Sequence, residues 1–216
     1  PEILSHIHRM ESAHVPQIAA QHAQSMGHTL WGKLGVAFLE TLYNALLDHP
    51  DFTAFVYEQD GRVMGFIAGS ADGPKMFKEV FRKKGAALAL SAFKGTLRNP
   101  RAAFALLETF SYFGKTRMPE LAGVTAESMF CSFTPELRGK RISGLINKVL
   151  FDEMAFLKHP YIKITTEADN EGAFRQLTSW GFERVGRFRF YGKNMVAWRL
   201  DLRNNPRVEP VRWVEK

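Results

Sequence analysis

One stretch, Met129 to Leu157, limits the fold more than any other part of the chain. A short apolar run, Met129 to Phe133, meets a turn at Pro135. A basic cluster around one glycine follows, made of Arg138, Gly139, Lys140 and Arg141. Ile142, Leu145, Ile146, Val149, Leu150, Met154 and Leu157 then recur at helical spacing. The order is therefore strand, turn, basic loop, helix. Free N–H groups at the helix start, the positive end of its dipole and three cationic side chains converge on one spot. That convergence suits a phosphate or pyrophosphate.

Strands and helices are expected on both sides of this unit. Ile3 to Arg9 reads as a short strand, and Glu11 or Ser12 is placed to cap a helix running to about Ser25. Leu34 to Leu47 reads as a second helix, with Leu34, Phe38, Leu42, Ala45 and Leu46 on one face. Phe52 to Glu58 and Arg62 to Ser70 flank Asp60-Gly61, a hairpin signal. Downstream, a strand over about Gly123–Phe133 leads to the central helix, which runs to about Lys158. Tyr161–Ala168 is the next strand and Asn170–Ser179 a helix ending at Gly181. Phe182–Phe190 and Asn194–Leu202 are closing strands. Residues 203–216 read as a polar tail that packs only locally, through Trp213.

Between the hairpin and the central strand lies a segment of about fifty residues, roughly 74–122, far longer than an ordinary loop. Lys75–Leu97 and Pro100–Phe113 read as two helices, the first interrupted at Gly85. The first carries Lys75, Lys78, Arg82, Lys83, Lys84, Lys94 and Arg98 against Glu79 alone. The whole chain has a net charge of +7, which favours anionic partners: a nucleotide cofactor, an acidic membrane surface or a nucleic acid. The insertion fits either a homodimer contact or peripheral contact with anionic lipid. Nucleic acid is the weakest of these, because no recognised nucleic-acid motif accompanies the charge. A single cysteine, Cys131, excludes an intrachain disulfide and suits a reducing compartment. No signal-peptide pattern is seen, so the expected location is the cytoplasm, at the inner face of the membrane if the insertion lies on lipid.

Two motifs carry a family resemblance. Pro135 to Ser143, PELRGKRIS, resembles the acetyl-CoA loop of the GCN5-related N-acetyltransferases, whose pattern is Gln/Arg-x-x-Gly-x-Gly/Ala. Arg138, Gly139 and Ile142 fit, whereas Arg141 and Ser143 stand where the family has its two pattern glycines. Asn170 to Phe182, NEGAFRQLTSWGF, is similar to the family's N-x-x-A-x-x-L-Y-x-x-x-G-F helix and turn. Asn170, Ala173, Gly181 and Phe182 match, and Leu177 takes the tyrosine's place. The resemblance covers most of the chain outside roughly 74–122. It implies an α/β fold with a mixed, mostly antiparallel central sheet flanked by helices. One domain over 1–202 would carry the helical insertion between its third and fourth strands.

It also implies a chemistry: acetyl transfer from acetyl-CoA, as cosubstrate and without a metal, to a primary amine by direct attack in a ternary complex. The pyrophosphate would sit on Arg138, Gly139, Lys140, Arg141, Ile142 and Ser143, with Asn170 supporting the cofactor arm. A backbone N–H near Ser132 or Phe133 would stabilise the oxyanion, a donor typically worth roughly 3–4 kcal/mol. Glu127 is the candidate base. A free carboxylate is a weak base for an ammonium, so burial would have to strengthen it. Tyr191 is the candidate acid in place of the missing tyrosine. Each also has a plainer reading, as a polar residue on a half-buried strand and an aromatic at a strand end. Cys131 reads as buried packing in preference to a nucleophile, and the N-terminal histidines, His22 among them, as surface or helix residues. The acceptor class is open, with an amino sugar favoured by the basic insertion. A non-catalytic acyl-CoA-binding or protein-interaction module on the same fold is the alternative.

Overall fold

The expected alternation folds into one sheet of seven strands: β1 (Ile7–Arg9), β2 (Phe52–Gln59), β3 (Arg62–Ser70), β4 (Glu127–Phe133), β5 (Tyr161–Glu167), β6 (Glu183–Phe190) and β7 (Lys193–Asp201). The helices are α1 (Val15–Ser25), α2 (Leu30–Lys33), α3 (Val36–Leu47), α4 (Gly73–Arg98), α5 (Ile142–Phe156) and α6 (Glu171–Trp180). This is a computed structural model, and it describes residues 3–27, 29–98, 118–137, 139–190 and 192–213. The strand order is β1-β2-β3-β4-β5-β7-β6. Every neighbouring pair is antiparallel except β4 with β5. The mostly antiparallel sheet and the helical insertion between the third and fourth strands are as expected. The expected second insertion helix, Pro100–Phe113, lies outside the described residues.

Local chemistry sets the element ends. Asp60 and Gly61 both take positive φ, 51° and 72°, as a two-residue hairpin turn of the primed type demands. Gly35, at φ 87°, separates α2 from α3, so the helix expected from Leu34 begins at Val36. The first seven residues hold a short 3-10 turn, Leu4–His6, before β1, so the strand is shorter than the run from Ile3 suggests. Gly85 does not interrupt α4, which continues through it. Asn170 caps α6 by accepting from the Ala173 N–H at 3.0 Å, and Gly181 closes that helix in the left-handed region.

Two cores sandwich the sheet. On one face Ala54, Val56, Phe66 and Ala68 meet Ile18 of α1, Phe38 and Leu42 of α3, and Met76, Phe77 and Val80 of α4. On the other, Phe55, Ile67, Ile162 and Trp198 meet Ile146, Leu150 and Phe151 of α5 and Leu177 and Trp180 of α6. Burying each such side chain contributes about 1.5–3 kcal/mol. The start of the insertion is therefore part of the main core, while Leu90 and Phe93 further along α4 are exposed. No helix among the described residues is long and apolar enough to cross a membrane.

The C-terminal segment does more than pack locally. Asp152 on α5 accepts from the Glu209 N–H at 2.8 Å, and Glu153 accepts from the Trp213 N–H at 2.8 Å. Arg9 on β1 donates to both the Trp213 carbonyl and Glu153. Two acidic residues buried on α5 thus find their partners in the chain's first strand and its last described residues.

Candidate active site

The site begins where the sheet parts. β4 and β5 pair only through Glu127 with Lys163 and Ser128 with Ile164, although each strand has seven residues. Beyond Ser128 the strands diverge. A bulge drives the change: Phe130 opposes Ala68 and Ser128 opposes Gly69, which leaves Met129 unmatched. An extra residue of this kind bends its strand and re-aims the groups after it. It also resets the alternation of backbone groups. Ala126 accepts from the Lys163 N–H on the β5 side, whereas Thr134 donates to Met64 of β3. Counting back from Thr134, Ser132 faces β3 and Phe133 and Cys131 face the gap. Of the two donors left open by sequence, the geometry favours Phe133.

A cavity of about 550 Å³ fills the gap. Glu127, Phe133 and Asn170 line it, along with Asn147, Gln176, Leu177 and Lys193. A second cavity, of about 1010 Å³, lies over the start of α5 and is lined by Gly139, Lys140, Arg141, Ile142 and Ser143, with Arg175 and Arg207 across from them. Gln176 borders both, so the two spaces meet at α6. The structure thus gathers the predicted residues into two adjoining groups. Ser132 is buried and lines neither cavity. Arg138 and Tyr191 lie outside the described residues.

Arg141 resolves a difficulty raised by its sequence. It stands in a glycine position of the motif, and it adopts the glycine's conformation: φ 60°, ψ 6°, left-handed, as the N-cap of α5. Gly139, two residues earlier, is also left-handed at φ 76°. The backbone can therefore present its N–H groups around a small anion, while Lys140 and Arg141 add exposed cations. The donor set suits a pyrophosphate, and the gap between β4 and β5 leaves a narrow course for a chain attached to it. Acetyl-CoA has both parts, so the residues present fit it.

Glu127 is buried at 3% exposure and faces the buried Lys163 ammonium at 3.4 Å. Lys163 was missed in the sequence, although a lysine inside the apolar run Tyr161-Ile162-Lys163-Ile164 is itself a signal of a buried partner. Glu167 and Lys193 form a second ion pair in the cavity wall, at 2.5 Å. Asn147, also missed, is buried and donates back to the Ser143 carbonyl at 2.6 Å, which braces the first turn of α5.

One sequence reading is corrected and a second is narrowed. Cys131 is not interior packing: its side chain is open to the cleft. The protein around it raises the thiol above its ordinary range by desolvation. His22 is not a surface residue but is fully buried. Its Nδ1 lies 2.8 Å from the Tyr43 hydroxyl, its ring is stacked against Phe66, and its Nε2 has no partner among the described residues. Burial lowers its pKa from 6.5 to about 3, so the ring is neutral at working pH. The unfolded chain then binds the proton more readily than the native state between these values, and stability falls as pH drops below 6.5. Between pH 7 and pH 5 about 2 kcal/mol should be lost, at 1.36 kcal/mol per unit. Urea unfolding at both values checks this. His22→Gln should remove most of that acid slope, and an unchanged slope in the variant would count against it.

No family model matches the sequence, and no curated protein does. Solved structures do match. An N-acetyltransferase from Staphylococcus aureus Mu50 superposes with a TM-score of 0.59 at 14% identity, over 91% of this chain and 97% of that one. The chain has the fold of the GCN5-related N-acetyltransferases. A ribosomal-protein-alanine N-acetyltransferase from Brucella melitensis gives 0.57 at 16% identity, covering 90% of this chain and 98% of its own. A Salmonella typhimurium protein solved with its cofactor acetyl-CoA gives 0.54 at 13%, covering 93% and 95%. Within this GCN5-related fold, Leu177 is buried at the cavity wall, where the motif places a tyrosine.

Proposed function

We propose that the chain is an acetyl-CoA-dependent N-acetyltransferase acting on a primary amine. One observation carries this reading. The divergence of β4 from β5 leads to an α5 start whose Gly139 and Arg141 are both left-handed. A thioester arm and a pyrophosphate need those two features side by side.

In this reading Gly139 to Ser143 hold the pyrophosphate, joined by Arg138, and Asn170 keeps the α6 wall in place through its cap. The Phe133 N–H stabilises charge on the thioester oxygen. Glu127 takes the amine proton, directly or through a water, and Lys163 fixes the position of its carboxylate. The amine nitrogen forms its bond to the acetyl carbon as the carbon–sulfur bond breaks. Tyr191 protonates the thiolate, or the thiolate leaves as the anion.

The test is release of CoA thiol from acetyl-CoA that depends on added amine. Turnover should pass through a ternary complex, so Cys131→Ala should keep substantial activity. A stoichiometric acetyl group on Cys131 that passes to the acceptor would overturn direct attack. A non-catalytic acyl-CoA-binding module is the second reading. It is favoured by Leu177 in the tyrosine position and by the engagement of Glu127 with Lys163. Tight acetyl-CoA binding with no amine-dependent thiol release would select it.

A further inference from the structure

The cavity has two chemically different ends. Its β5–α6 end carries charge, with the Glu167–Lys193 pair, Thr165, Thr166 and Asn170 set among apolar residues such as Leu177 and Met195. Its other end lies on the α1–α4 face, where Met26, Trp31, Phe77, Met129 and Phe130 line it together with the polar Ser25, Thr29 and His22. Trp31 sits in a cluster of near-parallel aromatic rings. Its ring stacks on Phe38 at 5.8 Å and 10°, on Phe77 at 5.9 Å and 9°, and on Phe81 at 6.5 Å and 15°. Phe77 and Phe81 come from α4, so the insertion builds part of this end.

Charge is distributed with the same asymmetry. The acidic residues lining the cavity are Glu127 and Glu167, and each already faces a lysine. Among the described residues, this end offers no carboxylate to a second ammonium, and its Ser25 and Thr29 hydroxyls already donate to the Gln21 and Met26 carbonyls, which leaves few donors for the hydroxyls of a sugar. Hydroxyls left without partners there would each cost about 1–3 kcal/mol. A flat apolar body costs nothing comparable and gains from burial against Trp31 and Phe77. His22, beside Phe130 at 5.1 Å between ring centroids, is neutral and does not repel an incoming amine.

We infer that the acceptor is a small primary amine carrying an aromatic body, seated against Trp31 and Phe77 with its nitrogen directed at the gap between β4 and β5. This rests on the acetyltransferase reading and replaces the amino sugar suggested by the basic insertion with an aryl-alkyl amine.

The test compares 2-phenylethylamine, glucosamine and spermidine by acetyl-CoA-dependent thiol release, with calorimetric binding of each amine and, separately, of acetyl-CoA. 2-Phenylethylamine should exceed the other two in kcat/KM by at least about tenfold, a margin of the kind one pocket contact gives. Trp31→Ala should remove most of that margin and leave acetyl-CoA affinity unchanged. Glucosamine or spermidine matching or exceeding 2-phenylethylamine would overturn the inference. So would absence of saturable 2-phenylethylamine binding while acetyl-CoA still binds. Failure of acetyl-CoA itself to bind would instead overturn the acetyltransferase reading, with the amine calorimetry still deciding the character of the pocket.

Discussion

Lys163→Met is expected to cost about 3–5 kcal/mol of stability, because it leaves a buried carboxylate without its cation. Glu127 and Lys163 lie opposite each other at the first of the two paired positions of β4 and β5, one residue before the strands part, and both are nearly inaccessible. Removing both charges is a different experiment. Glu127→Gln with Lys163→Met should recover most of the loss, since a neutral pair has no uncompensated charge to bury. Urea unfolding of the two single variants and the double variant supplies the coupling energy. Equal losses in the single Lys163→Met and in the double variant would refute the account. The double variant also separates structure from catalysis. If Glu127 is the base, a folded double variant should bind acetyl-CoA and lack turnover.

Charge reversal in the loop before α5 should have the largest effect on binding. Two charge-assisted contacts contribute about 1.5–3 kcal/mol each. Lys140→Glu with Arg141→Glu should therefore weaken acetyl-CoA by at least about 100-fold, at roughly 1.4 kcal/mol per decade. The loss should shrink as salt screens the loop. Arg141→Gly is the informative control. It removes the cation but keeps a residue suited to the left-handed backbone at φ 60°. It should cost about tenfold to a hundredfold in affinity, at roughly 1.4 kcal/mol per decade, and raise stability by about 1 kcal/mol, the relief of a side chain held in that region. Unchanged calorimetric affinity in a folded double-reversal variant would remove the loop from the binding site.

Much of this is legible in the sequence, and the reasons differ by residue. Asp60-Gly61 and the pair Asn170 and Gly181 are readable because turns and caps are local: the residue type states the backbone it allows. The period of α1 was equally readable. Val15, Ile18, Ala19 and His22 recur at helical spacing and all are buried, so the histidine's place in the core was written in the pattern. Its burial was missed because its residue type outweighed its position. Arg141 is the opposite case. A basic residue in a glycine slot looks like an obstruction until the backbone angle is seen. Lys163 needed register, since no local pattern says that it faces Glu127 on a strand 36 positions earlier. The bulge at Met129 and the link from Trp213 to Arg9 depend on partners distant in sequence, and local patterning has no access to those.

The brief contact between β4 and β5 has a consequence for how the chain assembles. β1 to β4 are joined in sequence order by antiparallel neighbours, and β5 to β7 form a second ribbon. Two residue pairs connect them within the sheet. The two ribbons are therefore natural cooperative units, each able to open without unzipping the other. What fastens them lies largely outside the sheet: α5 spans the first ribbon, and residues 205–213 return from the second to Asp152, Glu153 and Arg9. Amide exchange should be fast along the parted edges of β4 and β5 and slow on either side. A molecule lodged between those edges would act as a cross-brace, and the cleft would be the protein's softest line until it was filled.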